Sequence, residues 1–295
     1  MKHKPDIVLS IGEWPNTITP ISVKLIPYKP KVVLTEQSTK SFLNSEEYNV
    51  SRLVRFLAKK SYFYAENIIC VSNAVKEELL KENLINKKLI VVCNPVDMEE
   101  INKKVVEEVE HAWFKNKDIP VIVAVGRLHQ QKDYPTMFKA IKFVLKVKKV
   151  HLVILGDGPL REELISLCVQ LGIKNFVDFI GFQKNPYKYI KKADLFVHSA
   201  RYEGFGNIFP EALACGQKIV TTNCDTPCEI LEEGKYGKIV PAGGCKSLAD
   251  AILLNLSQKH NPDFLKQKVQ EFSIEKISNK YLEILLDEST IIKNK

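Results

Sequence analysis

The alternation of apolar and polar positions is most regular from about residue 119. Short β-branched runs, 121-VIVAV-125, 151-HLVIL-155, 176-FVDFI-180, 194-DLFVH-198, 218-KIVTT-222 and 238-KIV-240, read as buried strands. The stretches around 135–149, 159–171, 186–192 and 207–215 carry helical spacing. Apolar strands separated by helices pair in parallel beneath helical layers, which predicts an α/β doubly wound sheet. The first hundred residues repeat this rhythm in shorter form. Strands are expected at 6-DIVLSI-11, 31-KVVLT-35, 67-NIICV-71 and 89-LIVVC-93, with helices near 49–65 and 73–83. Ser72 or Asn73 suits the N-cap of the second helix, because a short side-chain oxygen accepts from first-turn amides.

The charged stretch 97-DMEEINKKVVEEVEHAWFKNKD-118 interrupts the strand rhythm and marks a domain boundary. The expected division is residues 1–104, a linker 105–118, a second domain 119–272 and a C-terminal helix 273–295. In that last segment Ile274, Ile277, Tyr281, Ile284 and Leu285 recur at helical spacing. One placement for this helix is back on the N-terminal domain.

A chain of 295 residues accommodates two domains, since domains run to roughly 100–200 residues each. With 45% apolar and 26% charged residues it has ordinary globular usage, which excludes disordered and collagen-like classes. The 43 basic and 35 acidic residues leave +8, spread over scattered lysines. That balance suits an anionic small molecule or an anionic membrane surface. No run interleaves dense basic residues with stacking aromatics, so nucleic acid is not an expected partner. No apolar run approaches the ~18 residues that a membrane-spanning helix needs. The basic opening is broken by Glu13, so a signal peptide is not expected. Of the seven cysteines, Cys70, Cys93 and Cys168 sit in apolar patterns as small core residues. Cys224 and Cys228 lack a second pair to complete a zinc site. A reducing cytosol is the expected compartment.

The densest chemistry lies in 201-RYEGFGNIFPEALACG-216, after the strand 194-DLFVH-198. Open α/β sheets bind ligands at the carboxyl ends of their strands. Gly204 and Gly206 flank Phe205 and let the backbone approach an anion, while a helix starting near Asn207 points its amides at the same loop. Pro210 fits a first turn. Glu203 and Glu211 beside a phosphate cradle would repel it unless they serve neighbouring hydroxyls, for which sugar and ribose are natural partners. The competing reading is a glycine turn with two solvated glutamates. In 121-VIVAVGRLHQQKDYPTMFKA-140, Gly126 ends the strand, and Arg127 and Lys132 project from the following loop at the same sheet edge. At about 4 Å and an effective dielectric of about 20, unit charges interact by roughly 4 kcal/mol, enough to hold a departing diphosphate. Read singly, each would be a solvated loop cation. The turn 155-LGDGPLREEL-164 imitates a dinucleotide fingerprint, but Arg161 stands where a third glycine belongs, so NAD is discounted. His129 and His198 have bland readings, a surface loop residue and a hydrogen-bonded strand end, and neither is assigned a catalytic role.

Together, 126-GRLHQQKDY-134, 155-LGDGPL-160, 180-IGF-182, 193-ADLFVHSARYEGFGNIFPEALACG-216 and 229-EIL-231 with Gly237 resemble the C-terminal domain of glycosyltransferase family 4, the retaining GT-B enzymes. The Glu203 to Glu211 spacing is that family's signature. The runs 70-CVSNAVKEEL-79 and 93-CNPVD-97 are similar to the end of its N-terminal domain. The resemblance implies two doubly wound Rossmann-like domains, the N-terminal one truncated. It implies that Arg127 and Lys132 hold the donor diphosphate and that Glu203 meets donor-sugar hydroxyls. Gly126 and the backbone from Gly204 through Phe205, Gly206 and Asn207 to Ile208 would line the phosphates, Glu211 would hold the ribose, and Phe182 and Gln183 would border the base. No metal or cofactor is implied. The donor would be a nucleotide diphosphate sugar, UDP-sugar being favoured over GDP-sugar. The acceptor would be a saccharide or lipid-linked saccharide, in cytoplasmic assembly of cell-surface polysaccharide or lipopolysaccharide.

This chain departs from the family at three points. By the resemblance, the family's opening strand with its Gly-rich loop is expected to have no counterpart in this sequence, Gln37 stands where many relatives carry an active-site His, and 222-TNCDTPCEIL-231 lacks the usual Gly. A second reading is therefore a nucleotide-sugar-binding remnant that does not turn over. Glu13, Trp14 and Asn16 line an acceptor cleft or form a turn with a packed Trp. Lys24, Lys29, Lys31, Arg52, Arg55, Lys59 and Lys60 rest on an anionic membrane or are ordinary solvated cations.

Overall fold

The computed structural model describes residues 3–37, 60–81, 88–115, 118–224 and 226–286, in two units. The first unit comprises Met1–Pro95 and Ile274–Lys295, the second Val96–Ser273. The greater part of the helix expected at 49–65, with Arg52, Arg55 and Lys59, lies outside the described residues.

In the first unit, β1 (Ile7–Ile11), β2 (Lys31–Glu36), β3 (Asn67–Cys70) and β4 (Lys88–Val91) pair in parallel and in sequence order. Val33, Ile69 and Val92 form an apolar cluster with Ile277 and Ile284 of the helix Ile274–Leu286, which therefore covers one face of the sheet. Lys31 is buried, and its ammonium donates to the carbonyls of Ile284 (2.7 Å) and Leu285 (3.2 Å). A cation at a helix C-terminus satisfies orphan carbonyls and the negative dipole end. Lys31 is thus committed to the fold and withdrawn from any membrane-facing set; Lys24, Lys29 and Lys60 stay exposed. Ser72 Oγ accepts from the Val75 amide (3.2 Å), so Ser72 caps the helix Asn73–Lys81.

Residues 13–24 form a helix, Glu13–Lys24, where one of the two readings of Glu13, Trp14 and Asn16 is a turn. Trp14 stands exposed on it, and Asn16 is buried, donating to the Thr35 carbonyl at 2.9 Å. The packed-Trp turn is thereby replaced. Asn16 serves to anchor the helix to β2.

The second unit is a six-stranded parallel sheet of order β10-β9-β8-β5-β6-β7. Its strands are β5 (Val121–Val125), β6 (His151–Leu155), β7 (Val177–Gly181), β8 (Leu195–His198), β9 (Ile219–Thr222) and β10 (Lys238–Val240). Strand order reverses between β5 and β8, which opens a crevice at their carboxyl ends. The core joins Ile122, Ile154, Leu195 and Val220 of the sheet to Phe138, Ile141, Leu248 and Ile252 of flanking helices. Of the stretch 105–118, expected as a linker, residues 105–115 belong to this unit. Val109 and Phe114 are buried, His111 Nε2 lies 2.9 Å from Asp178 Oδ2, and Trp113 stacks on His151 at 4.0 Å. The unit's two ends are zipped where the Val96 amide donates to Phe272 O at 2.7 Å.

Candidate functional site

The loops after β5 and β8 face each other across the order reversal, and four contacts lock them together. The Arg201 amide donates to Gln131 O (2.9 Å) and Gln131 Nε2 to Tyr202 O (2.9 Å). Ser199 Oγ donates to Lys132 O (2.8 Å), and Arg201 Nε lies 3.2 Å from Asp133 Oδ2. Asp133, buried and left-handed at φ 44°, joins the turn Gln130–Lys132 to the helix Tyr134–Leu145. The Lys132 ammonium meets the Glu203 carboxylate.

Glu203 is 7% exposed. Burial by itself would raise its carboxyl, but His198 and the Lys132 ammonium outweigh burial and hold it down to about 2. Its main-chain oxygen accepts from Thr226 Oγ1 at 3.0 Å, and the same hydroxyl reaches Gly204 O at 2.7 Å. His198 ends β8 at 3% exposure, with Nε2 3.1 Å from Glu203 Oε1. Neither ring nitrogen has hydrogen-bond geometry to a partner. Burial pushes its pKa below the ordinary value, the contact with Glu203 opposing in part, so the ring is neutral at neutral pH. The Lys132 ammonium and the His198 ring thus both face the Glu203 carboxylate.

Gly206 has φ +72°, and a Cβ there would stand 2.7 Å from the Phe209 ring, so only glycine fits. Phe205 is buried against Phe272, with ring centroids 5.9 Å apart, so it offers the loop only its main chain. Asn207 is exposed, and Ile208 opens the helix Ile208–Ala214. Glu211 lies within that helix. Burial pushes its carboxyl up to about 7, the Tyr187 hydroxyl opposing and Glu100 reinforcing.

A cavity of about 430 Å³ lies at the carboxyl ends of β5, β6 and β7, lined by Gly126, Arg127, Gly156, Asp157, Phe182 and Gln183 among others. The Lys132 stem passes its Gly126 wall, since a Cβ on Gly126 would lie 3.4 Å from Lys132 Cε. Gln183 is held by its bond to Ile180 O (2.9 Å) and by the Tyr189 hydroxyl (3.3 Å). Phe182 is 77% exposed at the rim. The two glycines of 155-LGDGPL-160 serve packing. A Cβ on Gly156 would fall 2.0 Å from Gly126 O, and one on Gly158 2.4 Å from Leu128 O. These loops cross at backbone contact, which accounts for the pattern without a dinucleotide.

The structure thus groups Lys132 with Glu203 and Gly204, and groups Arg127 with Gly126, Phe182 and Gln183. Glu211 joins through Tyr187, the neighbour of the cavity-lining Pro186. Sequence reasoning missed Asp133, Arg201, Thr226 and Tyr187, whose roles depend on contacts between loops. Among the described residues no group of three or more His, Cys, Asp or Glu is placed to hold a metal ion, and no helix is long and apolar enough to cross a membrane.

Residues 105–272 match the family Glycosyl transferases group 1, and residues 1–100 match Glycosyltransferase Family 4. The chain is 28% identical over 278 residues to N-acetylgalactosamine-N,N'-diacetylbacillosaminyl-diphospho-undecaprenol 4-alpha-N-acetylgalactosaminyltransferase of Campylobacter jejuni, covering 92% of this chain and 74% of that one. It is 27% identical over 244 residues to the lipopolysaccharide core biosynthesis glycosyltransferase LpsE of Rhizobium meliloti, covering 81% and 69%. Across the first three curated relatives the chain spans 59–74% of their length. The solved structure of Anabaena HepE in complex with UDP superposes with a TM-score of 0.81 at 20% identity, covering 95% of this chain and 78% of that one. The parallel α/β units are those of the GT-B fold, and the chain belongs to the group 1 glycosyl transferases.

Proposed function

We propose that the chain moves a sugar from a UDP-sugar to a saccharide carried on a lipid, with retention of configuration, at the cytoplasmic face of a membrane. The observation that carries this reading is the Lys132–Glu203 pair at the strand-order reversal, with the Lys132 stem passing the Gly126 wall of the cavity at the carboxyl ends of β5, β6 and β7. Arg127 and Lys132 bring positive charge to a diphosphate, and the turn from Gly204 to Ile208 brings main-chain amides. Glu203, held ionised, accepts from hydroxyls of the donor sugar. Glu211 accepts from the ribose, and Phe182 and Gln183 flank the base. The leaving diphosphate, stabilised by the two cations, assists attack from the face it departs. No cofactor is assigned, because the side chains named supply the charge that the leaving group needs.

A UDP donor agrees with the ligand of the Anabaena structure, and a lipid-linked acceptor with the diphospho-undecaprenol substrate in the Campylobacter enzyme's name. Exposed Lys24, Lys29 and Lys60 leave cations for an anionic membrane surface. The test is release of UDP from a panel of UDP-sugars, with and without undecaprenyl-diphosphate-linked oligosaccharide, and the product's anomeric configuration by NMR. Acceptor-stimulated release with a retained anomer is expected. UDP binding without release would replace this reading by that of a binding remnant, and absence of UDP binding would end it.

A further inference from the structure

We propose that His198 is the positioning residue for Glu203 and takes up a proton when a nucleoside diphosphate draws on the Lys132 ammonium. The inference rests on the donor-site reading above. His198 is buried at the end of β8, where its neighbour across the sheet is Thr221 of β9, which bears no charge. From the helix Ile208–Ala214, Phe209 presents an apolar edge to the ring, centroids 4.9 Å apart at 73°. The charged groups acting on the ring are Glu203, from its own loop, and Lys132, from the loop after β5. Tyr134, near Glu203, is kept neutral because burial and that carboxylate both raise it.

A neutral imidazole carries one proton and one bare nitrogen. Nε2 faces the Glu203 oxygen at 3.1 Å, outside hydrogen-bond geometry, and the carboxylate favours the tautomer with its proton on that side. Nδ1 is then a buried basic nitrogen without a hydrogen-bond partner. In the free protein Lys132 balances Glu203, and its proximity also disfavours charge on the ring. A diphosphate would share that ammonium, so Glu203 would be left partly uncompensated in a poorly solvated place. A proton from solvent added to Nδ1 restores neutrality, and no bond between heavy atoms forms or breaks. The imidazolium holds Glu203 in register while Lys132 serves the leaving group.

The experiment is UDP titration by calorimetry in buffers of different ionisation heat, with ¹⁵N NMR of the histidine rings in the same samples. Wild type is expected to take up about one proton above pH 7, and its UDP Kd to rise about tenfold per pH unit in that window. The His198 resonances should pass from the neutral tautomer to the imidazolium on saturation. His198→Gln should bind UDP without the linked uptake and with a flat pH profile, UDP's own ionisation being common to both proteins. UDP binding that leaves His198 neutral, or uptake that persists in His198→Gln, overturns the proposal. The wild-type NMR decides it even where the variant does not fold. Failure of UDP to bind at all overturns the donor-site reading, and this proposal with it.

Discussion

Asp133 Oδ2 and Arg201 Nε, one from each loop at the strand-order reversal, lie 3.2 Å apart. Arg201 is 66% exposed on its side chain and Asp133 4%, so the pair acts more as a positional latch than as a store of stability. Exposed ion pairs contribute about 0–1 kcal/mol. Asp133 also accepts from Thr136 Oγ1 at 2.9 Å and holds a left-handed backbone that Asp tolerates better than Ala. Arg201→Ala should therefore cost under about 1 kcal/mol in urea unfolding, and Asp133→Ala about 1–3 kcal/mol. Asp133→Ala should also lower kcat/KM by about tenfold or more through displacement of Lys132. Equal and small effects of both variants would show that the latch does not position Lys132.

The Lys132–Glu203 pair is largely buried, 18% and 9% exposed on the side chains. Removing one partner leaves a charge that water reaches poorly, at a cost of about 3 kcal/mol or more. Lys132→Met should thus be distinctly destabilised. Lys132→Met with Glu203→Gln should recover much of that loss, because no charge remains to be solvated. Additive destabilisation in the double-mutant cycle would mean that the pair is not coupled in solution.

Glu211 supplies a pH test. Its folded carboxyl, pushed up to about 7 from the ordinary 4.5, holds its proton where the unfolded chain has lost it. Stability therefore falls as pH rises through that window and stays lowered above it, by at most about 3 kcal/mol. Glu211→Gln should raise Tm relative to wild type at pH 8 and give no gain at pH 5, while weakening UDP. A Tm difference independent of pH would contradict the shift.

Phe182 is a large apolar side chain left 77% exposed at the cavity rim, where it adds little to folding. Stacking of a base on an aromatic ring is worth about 1–3 kcal/mol. Phe182→Ala should weaken UDP by about tenfold or more in calorimetry with Tm nearly unchanged. Undiminished affinity would move the base elsewhere.

The strands of the second unit were legible because fully apolar β-branched runs such as 121-VIVAV-125 have few other places to go. The helix Glu13–Lys24 was not legible. Pro15 and Pro20, with β-branched Thr17, Ile18 and Thr19, mask its period, and Asn16 is an anchor only once Thr35 is beside it. The candidate loops were found through Gly204, Gly206 and the paired glutamates, whose chemistry shows locally. His198 and Asp133 looked ordinary because their meaning arises between loops about 70 residues apart, where Lys132 meets Glu203. Lys31 read as a surface cation because nothing near it in sequence announces the helix end more than 250 residues away.

The most direct measurement compares UDP with uridine in calorimetric titration of wild type, Arg127→Ala and Lys132→Met. If the two cations grip a diphosphate, UDP binds wild type at least about a hundredfold more tightly than uridine, and the ratio collapses in both variants while uridine affinity holds. An unchanged ratio in the variants, or equal affinity for the two ligands in wild type, would contradict the account.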